Sequence, residues 1–330
     1  MSSKRLPFLF IFVIFSAGII FVAYDYYRNT ELKFRYQVAL ELLAISTLKT
    51  DQLILWRKER LGNAILSQNS IITASIKRLL ANPDNLSSQQ EMQAWLNQYI
   101  NYFGQFGYDH AYFLDTKGIT RLSVPAQVNG LDTFIKDQAL TSMQTGQVKL
   151  QDFYRDTASQ RVYMALIVPL LDKAANNKPL GVIIIRIDPI VYLYPLIQSW
   201  PTPSKTGETL LVRKEGNEVL FLNNLRFNPS AALKLHFPLN TKELPAAQAV
   251  LGKQGLIEGV NYRGSSVLGA LKPIPDSPWF LVTNEDKSEI YAPLRERFWL
   301  TLLMLSHLRH FLARNRLFPP FWQSKIYKTL

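Results

Sequence analysis

The sequence predicts an α+β chain with an N-terminal transmembrane helix, a long stalk helix and two tandem antiparallel-sheet modules. Three observations carry this reading. Residues 6–24 form a run of 19 residues without a charge. Apolar residues then recur at three-to-four spacing for about fifty residues, the period of a helix with one buried face. Beyond residue 107 the period changes to two, and one order of elements occurs twice: strand, turn, strand, helix, three strands.

The uncharged run would span roughly 28 Å as a helix, close to the hydrocarbon thickness of a bilayer. It is longer than the apolar core of a secretory signal, is rich in Phe and Ile, and has no Ala-x-Ala site after it. It therefore reads as an uncleaved anchor. Lys4 and Arg5 place the N-terminus in the cytoplasm and residues from about 28 outside. Tyr24, Tyr26 and Tyr27 suit an interfacial belt. Residues 29–81 read as one helix, with Val38, Leu42, Ile45, Leu48, Leu53, Trp56, Leu61, Ile65, Ile72, Ile76 and Leu79 on an apolar stripe that serves as core or dimer contact. The cluster Trp56-Arg-Lys-Glu-Arg60 reads as a solvated face with Trp56 buried. Asn82-Pro-Asp-Asn ends that helix, and 87–103 reads as a second one, with Ser87 or Ser88 as cap and Gln90 or Glu91 in capping-box position.

In the first module the expected strands are 108–115, 119–124, 149–156, 160–169 and 180–188, with helices at 131–145 and 190–198. Trp200-Pro-Thr-Pro203 reads as a linker. In the second module the strands are 208–213, 218–223, 255–262, 266–273 and 279–285, with a helix at 245–251. Tyr262-Arg263-Gly264 reads as a hairpin turn. The chain thus divides into 1–28 (N-terminus and anchor), 29–107 (stalk and second helix), 108–200 and 201–294 (the two modules) and 295–330 (an incomplete second span and a basic tail). In that last part, the apolar stretch 298–306 gives way to His307, Arg309, His310, Arg314 and Arg316. Charges at such depth are costly in a bilayer centre. Either the segment lies in the interface as a basic amphipathic helix, or the change of composition after Ser306 marks a truncated or frameshifted end.

The net charge is +12. Residues 1–27 and 295–330 together hold nine basic and two acidic residues, so the excess sits beside the apolar segments. No basic stripe with interleaved aromatics stands on a folded part, and no nucleic-acid partner is expected. The chain has no Cys and four His. That excludes a disulfide scaffold, a thiolate metal centre and a cysteine nucleophile. No Walker loop, Gly-x-Ser-x-Gly elbow or His-Glu-x-x-His helix occurs. Asp152 and Asp156 read as loop carboxylates rather than an acid/base pair, and His110 as a satisfied strand histidine. No catalytic residue, cofactor or metal is expected, and the chain does not read as an enzyme.

The order of elements resembles the double Cache sensor region, built of two PAS-like modules, of bacterial chemoreceptors, sensor histidine kinases and diguanylate cyclases. The strand end at Pro169, Leu180-Gly-Val-Ile183 and Pro278-Trp-Phe-Leu-Val282 carry the resemblance, together with the stretch from Trp56 to Arg60. It extends over roughly 6–306. The resemblance implies the extracytoplasmic small-molecule sensing region of a membrane-bound signal-transduction receptor, truncated before its output domain. The alternative is an anchored periplasmic ligand-binding or interaction module without signalling output. It further implies a bacterial inner-membrane location with 28–294 facing the periplasm, a homodimer, and an amino acid or organic anion as ligand of the membrane-distal module, 108–200. Some members carry an aspartate five residues after the strand glycine; here Gly181 plus five is Arg186, with Asp188 two further on. An arginine fork suits a carboxylate, and the other use of Arg186 is a salt bridge to a neighbouring strand. Arg186, Asp188, Tyr112, Arg121, Tyr154, Arg161 and Tyr163 are the candidate ligand contacts, and Arg155 lies beside them.

Overall fold

The computed structural model describes residues 5–66, 70–82, 85–126 and 130–314. The chain divides into two units, one of residues 41–284 and one that combines 1–40 with 285–330. Helix α1 runs from Arg5–Leu66 and α2 from Ser70–Ala81. Both lie along the stalk expected over 29–81, of which residues 67–69 lie outside the described ones, and α1 begins well before residue 29. The side chains of the expected anchor, 6–24, lie almost wholly outside the described residues. Among the described residues no helix is long and apolar enough to cross a membrane.

Helix α3, Leu86–Phe103, is capped by Asn85, two and three residues before the serines expected for that role. Asn85 is extended, and its side chain accepts from the Ser88 N–H at 3.2 Å, which satisfies one of the open donors of the first turn. A 3-10 turn, Gly104–Phe106, leads into the first sheet.

The first sheet comprises β1 (Tyr108–Asp115), β2 (Thr120–Val124), β3 (Lys149–Arg155), β4 (Val162–Asp172) and β5 (Lys178–Ile187), all antiparallel in the order β2-β1-β5-β4-β3. Alternation along the strands sorts the side chains. Ala111, Phe113, Met164, Leu166, Val168, Ile183, Ile185 and Ile187 pack against Leu53, Trp56, Ile76, Met92 and Leu96 of α1–α3. Tyr112, Leu114, Tyr163, Ala165, Ile167, Val182 and Ile184 face the other way, onto Ile135 and Ala139 of α4 (Thr133–Thr145). Both faces are covered, which is why 182–185 is an unbroken apolar run.

The second sheet comprises β6 (Glu208–Glu215), β7 (Glu218–Phe221), β8 (His236–Pro238), β9 (Gly255–Val260), β10 (Ser266–Pro273) and β11 (Trp279–Asp286), in the order β8-β7-β6-β11-β10-β9. The short edge strand β8 lies where the sequence shows no alternating pattern. Helices α5 (Leu193–Gln198) and α6 (Pro245–Val250) flank the second module, and α6 packs on Leu210, Val212, Val219 and Val282. The remaining helices are α7 (Lys287–Ile290) and α8 (Ala292–Arg314). Helix α8 continues through His307, Arg309, His310 and Arg314, and the tail from 315 lies outside the described residues.

The two sheets of the larger unit share one core, because Leu211, Leu220, Trp279 and Leu281 join the same cluster as α1–α3. Polar contacts reinforce it. Asp152 on β3 accepts from the Trp279 indole N–H at 2.8 Å and from Arg213 Nη1 at 2.7 Å. Arg57 of α1 stacks over the Trp279 ring at 4.9 Å. Lys49, buried on α1, donates to the Leu196 carbonyl at 2.6 Å and to Ser199 Oγ at 2.7 Å, and so holds the connection between the modules. Arg60 departs from its expected solvated place. It is buried against Phe106, Tyr108 and Trp56, with its Cζ 4.8, 5.4 and 5.8 Å from the ring centroids.

Asp152→Ala removes the acceptor of both the indole and a guanidinium. It is expected to lower the unfolding free energy by about 2 kcal/mol, read from the urea midpoint of the full chain. A midpoint equal to the wild type would rule out a structural role for Asp152.

Candidate functional site

The α4-covered face of the first sheet gathers most of the candidate residues. Arg186 on β5 lies across from His110 on β1 and from Ala165 on β4. Its guanidinium forks onto Asp109, with Nε to Oδ1 at 3.0 Å and Nη2 to Oδ2 at 2.7 Å. Nη2 also lies 2.6 Å from His110 Nδ1. The same His110 Nδ1 lies 3.3 Å from Asp109 Oδ2. The Arg186 side chain is 9% exposed, and that of Asp109 28%. Burial works against the charge on Arg186, but the bonds and field of Asp109 outweigh it and raise the pKa. Asp109 is likewise held below the usual carboxylate range: burial pushes it up, and His110 and Arg186 more than offset that. Of the two uses open to Arg186, the structure has the salt bridge to a neighbouring strand.

Tyr163 on β4 is the platform of the site. Arg186 Cζ stands 4.1 Å from its ring centroid and Arg161 Cζ 5.6 Å. Arg161 pairs with Asp188 at 2.6 Å, and Asp188 also accepts from the Ile190 N–H. Tyr163 thus brings Arg186, Arg161 and Asp188 together. Tyr154 on β3 lies 6.4 Å from Tyr163, centroid to centroid, and 6.3 Å from Phe134 of α4. Tyr112 stacks on His110 at 6.0 Å. Burial pushes the Tyr112 phenol up to about 12 and raises that of Tyr154 further, so both remain hydrogen-bond donors. The hydroxyls of Tyr154 and Tyr163 have no hydrogen-bond partner among the described residues. Arg155 is used elsewhere, donating to the Gln160 and Ala232 carbonyls.

Arg121 does not belong to this group. It pairs with Asp115 through Nε and Nη2, each at 2.7 Å, at the far end of β1 from Asp109. Two acids outside the candidate ligand contacts border the site: Asp132, which the sequence did not single out, and Asp156, which it read as a loop carboxylate. Asp132 caps α4 by accepting from the Phe134 N–H at 2.9 Å, and its second oxygen takes the Thr157 N–H and hydroxyl. Asp156 accepts from the N–H and hydroxyl of Ser159. Asp109 was the largest omission. Its signal was its place at the start of β1, beside the residue opposite Arg186. A separate cleft of about 370 Å³ lies between α2 and the end of β4, lined by Thr73, Lys77, Leu170, Asp172 and Lys173, and it includes none of the candidates.

Arg186→Met strips a mostly buried carboxylate of its partner and is expected to cost about 2–3 kcal/mol. Arg161→Ala breaks a pair whose arginine is 53% exposed and is expected to cost at most about 1 kcal/mol. Urea denaturation of both variants tests the order, and equal costs would contradict it.

Comparison with known proteins fits this architecture. A family model described as a Cache domain matches residues 34–294. The ligand-binding domain of the Pseudomonas fluorescens chemoreceptor CtaA, in complex with L-serine, superposes with a TM-score of 0.52 at 15% identity, covering 77% of this chain and 99% of that one. The domain of the Pseudomonas aeruginosa PAO1 amino acid chemoreceptor PctC, with GABA, gives 0.51 at 18% identity, covering 76% and 100%. That of PctB, with L-Arg, gives 0.52 at 17% identity, covering 78% and 98%. At these identities the likeness is one of fold. No curated protein matches the chain. With a Cache model spanning 34–294, which takes in both sheets and most of the helical stalk, the chain belongs to the Cache-domain family.

Proposed function

We infer that this chain is the extracytoplasmic sensing region of a bacterial signal-transduction receptor and that it binds a small ligand at the α4-covered face of the first module. One observation carries the reading: Arg186, Arg161, Asp188, Tyr154 and Tyr163 converge on one sheet face, and two phenol hydroxyls there have no hydrogen-bond partner among the described residues. The structural neighbours in complex with L-serine, GABA and L-Arg support a ligand of the amino- or carboxylic-acid class. Since Asp109 occupies the Arg186 fork, a ligand carboxylate meets the tyrosine hydroxyls and the half-exposed Arg161 first. A ligand amine faces Asp188 and Asp156.

Signalling requires that the ligand favour one of two arrangements of the protein. Closure of α4 on the ligand would act on the sheet it covers. From there Asp152 reaches the second sheet, and the shared core reaches α1. The uncharged run at 6–24, behind Lys4 and Arg5, supports an inner-membrane anchor with 28–294 in the periplasm. Leu48 and Leu55 of α1, 45% and 58% exposed and two helical turns apart, supply a contact for a second copy.

The full chain, purified in detergent, should melt higher in the presence of a cognate ligand. At a hundred times the dissociation constant the gain is about 2.7 kcal/mol. Amino acids, carboxylates, polyamines, nucleobases and sugars form the panel. The shift should shrink or vanish in the double variant Tyr154→Phe/Tyr163→Phe. A ligand whose shift that variant leaves intact binds somewhere else, and a panel without any shift removes the small-molecule reading. For the second copy, Leu48→Glu/Leu55→Glu should sediment as a monomer where the wild type sediments as a dimer; identical sedimentation would discard this contact.

A further inference from the structure

The second module repeats the five-strand layout of the first and adds β8 at one edge. In the two sheet orders β6 stands where β1 does, β11 where β5 does and β10 where β4 does, and α6 covers the face that α4 covers in the first module. At the place of Arg186 the second module has Asn284 on β11, directly across from Glu208 on β6. Alternation puts both on the α6 face, beside Leu210, Val212 and Val282. Both are buried, at 1% and 3% exposure.

Their hydrogen bonding is incomplete. Glu208 accepts from the Tyr262 hydroxyl, at 3.1 Å to each oxygen, and from the Arg226 backbone N–H at 2.5 Å. These donors are neutral, and no basic side chain bonds this carboxylate among the described residues. Neither Oδ1 nor Nδ2 of Asn284 has a partner among the described residues. From the next strand Gly269 approaches, and it brings no side chain over the amide. A buried amide open at both ends is costly beside Phe280 and Val282, the apolar residues that precede it on the same face of β11. Leucine would satisfy the pattern, so the amide calls for a partner that brings both an acceptor and a donor. At the rim, Arg263 stacks 4.0 Å over the Phe227 ring.

We propose that Glu208, Asn284 and Tyr262 form a second small-molecule site, separate from that of the first module, for a small amine that also carries an acceptor oxygen. The ligand's ammonium donates to the Glu208 carboxylate and to Asn284 Oδ1, and Asn284 Nδ2 donates to the ligand's oxygen. The turn 261–265 between β9 and β10, which carries Tyr262 and Arg263, is the lip past which the ligand enters.

The test is the melting temperature of the full chain with ethanolamine, compared with ethylamine, which lacks the oxygen, and acetamide, which lacks the ammonium. Ethanolamine should raise it by about 2–4 °C at saturation, and either control should do less. The rise should survive in Tyr154→Phe/Tyr163→Phe, which alters only the first site, and disappear in Asn284→Leu and Glu208→Gln. If Asn284→Leu does not fold, the nearly isosteric Glu208→Gln decides alone. No rise in the wild type overturns the proposal, as does a rise that Glu208→Gln leaves intact. A rise lost only in the tyrosine variant reassigns the binding to the first module and overturns it too.

Discussion

Both faces of the first sheet are covered, so a polar side chain on its central strand cannot fall back on bulk water. Arg186 is the test of that constraint, because a guanidinium does not shed its proton. It needs a carboxylate within reach, and Asp109 on the adjoining strand supplies one. The pair in turn fixes the register of β1 against β5. A slip of one residue would turn Arg186 toward the helices and Ile185 toward α4. Tight approach of the same two strands explains Gly181 at their far end. A Cβ there would stand 2.3 Å from the Leu114 carbonyl oxygen, with φ at +156°, so glycine is required.

The same economy of polar groups governs the joint between the modules. Asp152, read from the sequence as a loop carboxylate, is an acceptor shared by Trp279 and Arg213. Lys49 is buried and, among the described residues, bonds to a carbonyl and a hydroxyl and to no carboxylate, and desolvation lowers its pKa. Its depressed value means the unfolded chain binds the extra proton. The Lys49 contribution to stability therefore improves as pH rises toward the ordinary lysine value. Each of these groups connects elements distant in sequence, which gives a change in one sheet a defined set of contacts through which to reach the other.

Periodicity made the strands, their order and the twofold repeat legible, because alternation and apolar runs are local signals. What escaped detection depended on contacts between distant residues. Asn85 displaces two serines as cap because its backbone is extended there, a property that composition does not reveal. Arg60 looks solvated among charged neighbours, yet three aromatic rings enclose it, two of them contributed by residues more than forty positions away. Arg121 and Arg161 look alike on paper. The nearest acid decides between them: Asp115 draws Arg121 away, while Asp188 leaves Arg161 on the Tyr163 ring. Strand β8 has three residues and no alternation to read.

In each module the strand that comes last in sequence takes the middle of the sheet. β5 bonds to both β1 and β4, and β11 to both β6 and β10. Until β5 pairs with both of them, the β1–β2 and β3–β4 hairpins of the first module stay unjoined, each with an open edge. The second waits in the same way for β11. Such closure by a distant strand folds slowly and leaves strand edges exposed in the interval. The folding chain thus exposes the most open strand edge just before β5, and again just before β11, takes its place.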